Sequence, residues 1–516
     1  MISADAYIDT PVGKSSSLQI SARKSLSEFL ETPTYNRYFD KAFQDTDVVE
    51  ASNEVFISDD DFTFYDTSVR WLYKISPRDH IRVNGLLMRN KISILENGRI
   101  DAVNIARESS VEQHNNAGGL AYTRSWNTDT ESEILLYGTL YNLQAINSDI
   151  ENNQVLLQEN EVLEGGLKLK TGFKIKDYFT GNVGYQYNET GMVNLRSLNN
   201  PLFFERNKDV VRTQSLFSDF SFQSLNKKTN IKLGGRLNTY NKFDIINLEP
   251  RFSFSHGFKK YFTIEVLGEL KSQVASQIIE SQNDFLGVEN RKWVLANEEE
   301  VPLITSRQIS AGLNYKRKKW FIDGDVYYKK VKGILSDGQG FQNQLEFEST
   351  HGAYSVYGVD FLANAKINDW TFWLSYSFAK NDYTFNTIEP SEFPNNLDIR
   401  NQMNLGVSYT MNRFKFSSGL SWHSGRPTTS INLDDPLGSE GVINYQNPNG
   451  GFLKDYLRWD TSLTYSFPWS NTLNSFFGIS VWNLLDAKNV VNEYYTLDVD
   501  EELDKIEELG LSLIHI

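Results

Sequence analysis

The chain has 516 residues, 13% of them aromatic, no cysteine and a net charge of −15. Without cysteine there is no disulfide, thiolate metal site or cysteine nucleophile, and the excess of carboxylates makes nucleic acid a poor partner, since phosphate binding needs clustered Lys and Arg. Mean hydropathy is −0.44 and no run approaches ~18 consecutive apolar residues, which excludes helical membrane spans but not β ones, because only alternate residues of a barrel strand face lipid.

Residues 4–10 alternate weakly and stop at Pro11, and 16–25 place Leu18, Ile20 and Ala22 opposite Gln19, Ser21 and Arg23. A polar stretch, 28–61, follows. Tyr65, Val69, Trp71, Tyr73 and Ile75 then share one face, the period of two that marks a strand with one apolar side. Strands are expected near 81–94, 117–126, 133–146 and 180–190. A cleaner one runs over 164–175, where Leu167, Leu169, Phe173 and Ile175 oppose Lys168, Lys170 and Lys174. Paired candidates follow at 211–225 and 230–241, 246–256 and 261–272, 306–316 and 320–333, 354–366 and 370–380, and 456–467 and 474–484, with a partial strand near Leu509.

The hairpin 400–427 carries the pattern most fully. Met403, Leu405, Val407 and Tyr409 alternate with Gln402, Asn404, Gly406 and Ser408. Past a turn at Met411–Asn412, Phe414, Phe416, Leu420 and Trp422 alternate with Arg413, Lys415, Ser417 and Gly419. Each arm is about ten residues, the length a tilted strand needs to cross the apolar core of a bilayer.

The connections alternate between short and long. Long ones are expected at 28–61, 96–116, 148–163, 191–210, 274–305, 334–353, 381–399, 425–455 and 485–508, and only the link near 242–245 breaks the rhythm. Tight periplasmic turns and long outer loops are the signature of outer-membrane barrels. The expected fold is therefore all-β, a transmembrane antiparallel up-and-down β-barrel in the bacterial outer membrane. About 21 strands are represented, and the even number that such barrels require makes about 22 in the intact protein. Residues such as Arg413, Lys415, Asp460 and Glu265 are expected on the hydrated inner wall, and Phe414, Phe416, Leu420 and Trp422 against lipid.

Four segments resemble the TonB-dependent outer-membrane receptors, especially those of Bacteroidota type: DIRNQMNLGVSY (398–409), FSSGLSWHSGRPTT (416–429), LRWDTSLTYSF (457–467) and FGISVWNLLDAKNVVNEYY (477–495), with SADAYIDTPVGKSSSLQISARKSL (3–26) similar to the family's early barrel. The resemblance implies one barrel over 1–516, the plug domain, TonB box, first strand and end of the last strand being absent from this sequence. It implies uptake of a scarce ligand such as a siderophore, haem, cobalamin or oligosaccharide. The expected partners are outer-membrane lipid, that small-molecule or glycan ligand, and the TonB complex, reached through a missing N-terminal segment. The competing expectation is a passive porin or adhesin-like barrel.

Aromatic faces and Arg forks suit sugars, catechols and carboxylates. Tyr35, Arg37, Trp293, Arg426 and Tyr445, in long loops or at their bases, are accordingly the candidate ligand-binding residues. No enzyme is expected: zinc-protease, serine-hydrolase and phosphate-loop motifs are missing, and His423 beside Ser421 and Ser424 shares a strand with them rather than forming a triad. No cofactor or metal is expected. The acidic runs Asp59–Asp61, Glu298–Glu300 and 498–508 lack the spacing of a calcium loop and are expected to be solvated loop charge.

Overall fold

The computed structural model describes residues 3–27, 55–100, 103–279, 291–297, 299–339, 341, 349–436, 443–470, 474–490, 492–493, 495 and 511–512. Twenty-one strands pair antiparallel in chain order, one of them a three-residue addition. The chain divides into two compact units, 1–221 with 234–250 and 272–304, and 222–233 with 251–271 and 305–516.

The first unit is a meander of β1 (Ser3–Pro11), β2 (Ser16–Ser25), β3 (Val55–Lys74), β4 (Asp79–Ile100), β5 (Val103–Ser125), β6 (Thr130–Asp149), β7 (Gln154–Lys176), β8 (Phe179–Leu198) and most of β9 (Phe203–Gln223). It also holds the far ends of β10 (Thr229–Tyr240), β11 (Ile246–Phe258) and β12 (Phe262–Gln273), and a separate hairpin of β13 (Ala275–Ile279) and β14 (Arg291–Leu295). The second unit contains β15 (Ile304–Arg317), β16 (Trp320–Leu335), β17 (His351–Ile367) and β18 (Trp370–Phe385), with β19 (Glu392–Pro394) added beside β18. There follow β20 (Asn401–Met411), β21 (Phe414–His423), a short ribbon of β22 (Pro427–Thr428) and β23 (Gly451–Phe452), then β24 (Tyr456–Pro468) and β25 (Asn474–Val481). The partial strand expected near Leu509 is β27 (Leu511–Ser512), paired with β26 (Asn492–Glu493) rather than with β25.

The alternation sets the faces. Register pairs Leu405 with Leu420 and Leu420 with Trp459, so apolar residues line up across β20, β21 and β24. These rows are bare: Phe416 is 46% exposed and Phe372 38%, as expected of side chains reserved for lipid. We call this the outer face and the polar one the inner face. Among the short turns, Lys259, Lys318, Asn368 and Asn412 adopt left-handed φ values of 47–53°, which let the chain reverse in two or three residues. The expected turn Met411–Asn412 is Asn412–Arg413, one residue later.

The expected long loops at 96–116, 148–163 and 191–210 are not loops. β4 and β5 are 22 and 23 residues long, about twice the expected length, and β5 begins three positions after β4 ends. β6 and β7 are separated only by 150–153, and β8 and β9 only by 199–202. The acidic run Asp59–Asp61 likewise lies in β3 rather than in a loop. The reason is solvent. Beyond the bilayer neither face must be apolar, so alternation fades, while backbone N–H and C=O groups still require the ladder.

Candidate functional site

In the first unit the polarity of the wall inverts along the strands. From the short turns up to mid-strand the outer face carries Leu120, Ile134 and Leu136, then Leu87 and Leu163, all well exposed. Further up the same face stand Arg89, Glu112 and His114, with the Glu112 carboxylate 2.5 Å from both Arg89 Nε and His114 Nε2. Next to them Asn142 donates to Glu159 at 2.7 Å. This height is where lipid gives way to water. On the inner face the change is opposite: Ile94, Val111, Leu143 and Ala145 form a buried cluster with Ile92 and Tyr141.

A second inner-face cluster explains what apolar residues do there. Met192 and Val211 are buried with Leu295 of β14, and Val162, Tyr240, Val274, Ala275 and Trp293 pack around them. The β13–β14 hairpin is thus folded down onto the inner face of the wall. Two asparagines that face each other across β7 and β8 hold it. Asn160 donates to the carbonyl oxygen of Arg291 at 2.7 Å, and Asn194 donates to that of Trp293 at 2.9 Å. A small cleft beside this seat is lined by Gln158, Asn160, Arg196 and Lys292.

Below the hairpin a hydrogen-bonded belt crosses the inner face. Tyr137 donates to Asn188 at 2.9 Å, Asn188 to Glu164 at 3.1 Å, and Gln186 to Tyr137 at 2.9 Å. Arg236 bonds Gln186, Asn238 and Ser215 at 2.8–2.9 Å. Groups already bonded to one another in this way form a hydrated wall rather than a reactive centre.

In the second unit the outer segments lock together. Phe341 packs edge-on against Tyr383, Phe385 and Phe393 at 5.5–5.8 Å. Asn396 donates to the carbonyl of Gln339 at 2.6 Å, and the buried Asn449 amide donates to Pro394 O at 2.8 Å and Asn396 Oδ1 at 2.7 Å. The buried Asp398 carboxylate accepts from Asn381 N at 2.8 Å and Arg400 Nε at 3.1 Å, and the Arg400 guanidinium lies 5.3 Å from the Phe452 ring centre. At Gly425 only glycine fits: a Cβ there would stand 1.6 Å from the Leu453 carbonyl oxygen.

The candidate residues separate accordingly. Tyr35 and Arg37 lie outside the described residues. Trp293 is on β14, half-buried, its ring in the seat of the hairpin. Arg426 accepts from Leu453 N at 2.9 Å through its carbonyl, at the mouth of the β22–β23 ribbon. Tyr445 bridges Ile431 and sets its ring 6.3 Å from Tyr495. Arg426 and Tyr445 therefore belong to one folded segment, and Trp293 to the other unit. The sequence pattern does not single out Asn160, Asn194, Asn396 and Asn449. The legible signal was Val162, Met192 and Val211, apolar residues at positions where the alternation calls for polar ones.

Two of the described histidines are engaged by neighbours on their own strands or the next. His423 stacks on Tyr456 at 4.7 Å, with its Nδ1 2.8 Å from the Ser424 carbonyl oxygen, and His256 Nδ1 lies 2.8 Å from Thr229 Oγ1. Among the described residues, no group of three or more His, Asp or Glu could hold a metal ion.

Residues 29–484 match the family model for the TonB dependent receptor-like β-barrel. The fold is similar to the ferric enterobactin receptor PfeA of Pseudomonas aeruginosa, with a TM-score of 0.64 at 11% identity over 94% of this chain and 72% of that one. It is also similar to the RagAB peptide transporter, with a TM-score of 0.59 at 10% identity over 93% and 72% of the two chains. A third likeness is to the unliganded ferric citrate transporter FecA, with a TM-score of 0.56 at 10% identity over 98% and 75%. No curated protein matches the chain in sequence.

Proposed function

This chain belongs to the TonB-dependent receptor family, and on that premise we propose that in the outer membrane it forms the wall through which a scarce ligand is imported with energy delivered by TonB. The ligand classes are a ferric siderophore, haem, cobalamin or an oligosaccharide, to which the similar transporters add ferric citrate and peptide. The observation that supports this reading is the β13–β14 hairpin pinned to the inner face at its outer end. A shelf of folded backbone with amides and cations beside it is what a captured ligand requires.

Ligand contact is assigned to Arg426 and Tyr445 in the loop after β21, and to Tyr35 and Arg37. Trp293 shapes the seat of the hairpin. The role is transport, not catalysis.

The test is uptake of labelled ferric siderophore, haem, cobalamin, oligosaccharide or peptide by cells carrying the intact gene, with and without TonB. TonB-dependent uptake of one of them is expected. Accumulation equal in both strains would assign a passive pore instead.

A further inference from the structure

Three neighbouring short turns of the second unit are rich in cations. They are 224–229 between β9 and β10, 257–261 between β11 and β12, and 316–319 between β15 and β16. They read SLNKKT, GFKKY and KRKK: eight cations, all exposed, and no carboxylate. Backbone bonds set them side by side, Gly257 N donating to Lys228 O at 2.7 Å and Lys316 N to Tyr261 O at 2.9 Å. We propose that these turns form a binding surface for anionic phospholipid headgroups of the periplasmic leaflet.

Register settles which face carries it. Arg317 stands opposite Trp320 and follows Leu313 and Tyr315 at intervals of two. Leu313 and Trp320, 46% and 47% exposed, belong to the outer face. Arg317 therefore emerges on the lipid side of the wall, where nothing packed on the inner face reaches it. Its guanidinium lies 5.1 Å from the Tyr261 ring centre, and Lys260 Nζ lies 5.6 Å from the same ring. Tyr261 meets Tyr315 edge-on at 6.3 Å, and Phe262 approaches Tyr315 at 5.0 Å. Such rings sit at headgroup level, so the cations beside them stand at the height of lipid phosphates. The short turns of outer-membrane barrels are the periplasmic ones, which names the leaflet.

Among the described residues none of the eight cations forms an ion pair; Lys319 donates to the neutral Asn368 at 3.4 Å. The adjoining turn adds Lys366 and a single carboxylate, Asp369. The turn backbone points the same way. Lys227, Lys259 and Lys318 hold left-handed φ values of 56°, 52° and 47°, a conformation that asparagine takes at Asn368 and Asn412 and takes at less cost. Three lysines thus stand where conformation alone favours asparagine or glycine. Clustered like charges repel one another in water, and an anionic surface relieves them. A zwitterionic headgroup brings its own ammonium and relieves less. The surface requires only the membrane location, so it stands whether or not a ligand is imported.

The experiment is native mass spectrometry of the detergent-folded protein, titrated with phosphatidylglycerol and with phosphatidylcholine of the same acyl chains. Preferential retention of phosphatidylglycerol is expected. Lys259→Gln, Lys260→Gln, Arg317→Gln and Lys318→Gln together should lower that preference by at least about fivefold. Lys259→Arg, Lys260→Arg and Lys318→Arg together, which keep the charge, should preserve it. Heat-modified gel mobility confirms that both variants are folded. Equal retention of the two lipids by the unaltered protein overturns the proposal, and if an oligoglutamate peptide binds instead, the surface belongs to an acidic protein. A preference that persists in the folded glutamine variant also overturns it, as does its loss in the arginine variant.

Discussion

Tyr137 stands directly opposite Gly166 across the β6–β7 ladder, and its ring fills the space a Cβ at 166 would occupy, with ring carbon Cζ only 2.4 Å from that point. The same arrangement recurs on the inner face at Tyr327 over Gly358 and at Trp373 over Gly406. A bare backbone lets the large ring lie flat on the wall, covering the strand while leaving its hydroxyl or indole N–H free to bond.

Gly166→Val must therefore displace the Tyr137 ring and break its bonds to Asn188 and Gln186. A loss of about 1–3 kcal/mol is expected, the range for overpacking. Gly165→Val is the control, since nothing lies within 4 Å of its Cβ position. Thermal unfolding of the detergent-folded protein should separate the two. Equal melting temperatures would refute the ring-on-glycine contact.

The inversion of polarity fixes where the bilayer ends. Leu136, 49% exposed on the outer face of β6, lies mid-belt, and Leu136→Arg should destabilise by roughly 2–4 kcal/mol in lipid. Asn142→Arg, six residues along the same strand, should change stability by less than about 0.5 kcal/mol, as a hydrated surface position does. Unfolding titrations in vesicles measure both. Similar values would place the membrane boundary elsewhere.

Asn160 and Asn194 should act as a pair on the hairpin. Each alanine variant removes one hydrogen bond, worth about 1 kcal/mol. The double variant should sharply raise amide exchange over Arg291–Leu295 while leaving β7 and β8 protected. If exchange in that segment does not rise, apolar packing against Met192 and Val211 alone holds the hairpin.

Two carboxyls beyond the apolar belt have opposite pH signatures. At the outer tip of β6, Asn152 donates its side-chain amide and its backbone N–H to Asp149, at 2.7 and 3.0 Å, and these bonds hold that carboxyl below its ordinary value of 3.8. The stabilisation it gives is present above the ordinary value and disappears as pH falls through the lowered one. Burial raises Asp337, against a weaker lowering by Ser349. Its penalty appears as pH climbs from the ordinary value through the raised one. Asp149→Asn should therefore loosen the 150–153 turn at neutral pH only, and Asp337→Asn should stabilise at neutral pH only. Melting curves and local amide exchange at pH 3 and pH 7, two values spanning the carboxylate range, give the answer. A pH-independent effect of either substitution would contradict the assignment.

The strands that cross the membrane were legible because lipid on one side and water on the other force a period of two, as at Phe414, Phe416, Leu420 and Trp422. The short turns were legible for the same reason, but three of the expected long loops proved to be strand; the family model, over 29–484, covers the resembling segments 398–409, 416–429 and 457–467 and part of 477–495, and does not reach 3–26. The outer halves of β3 to β9 were not legible, because water on the outer face and packed or hydrated inner surfaces impose no alternation. Backbone pairing, which is blind to side-chain type, carried those strands on.

The candidate site followed the same division. Aromatics and arginines in loops were visible as residue types, but whether Trp293 contacts ligand or seats a hairpin depends on Met192 and Val211, 101 and 82 positions away in sequence. Local pattern determined which residues face lipid, since each strand settles that with its own alternation. Only the tertiary structure decided which loops fold inward, because that outcome depends on register between strands distant in the chain.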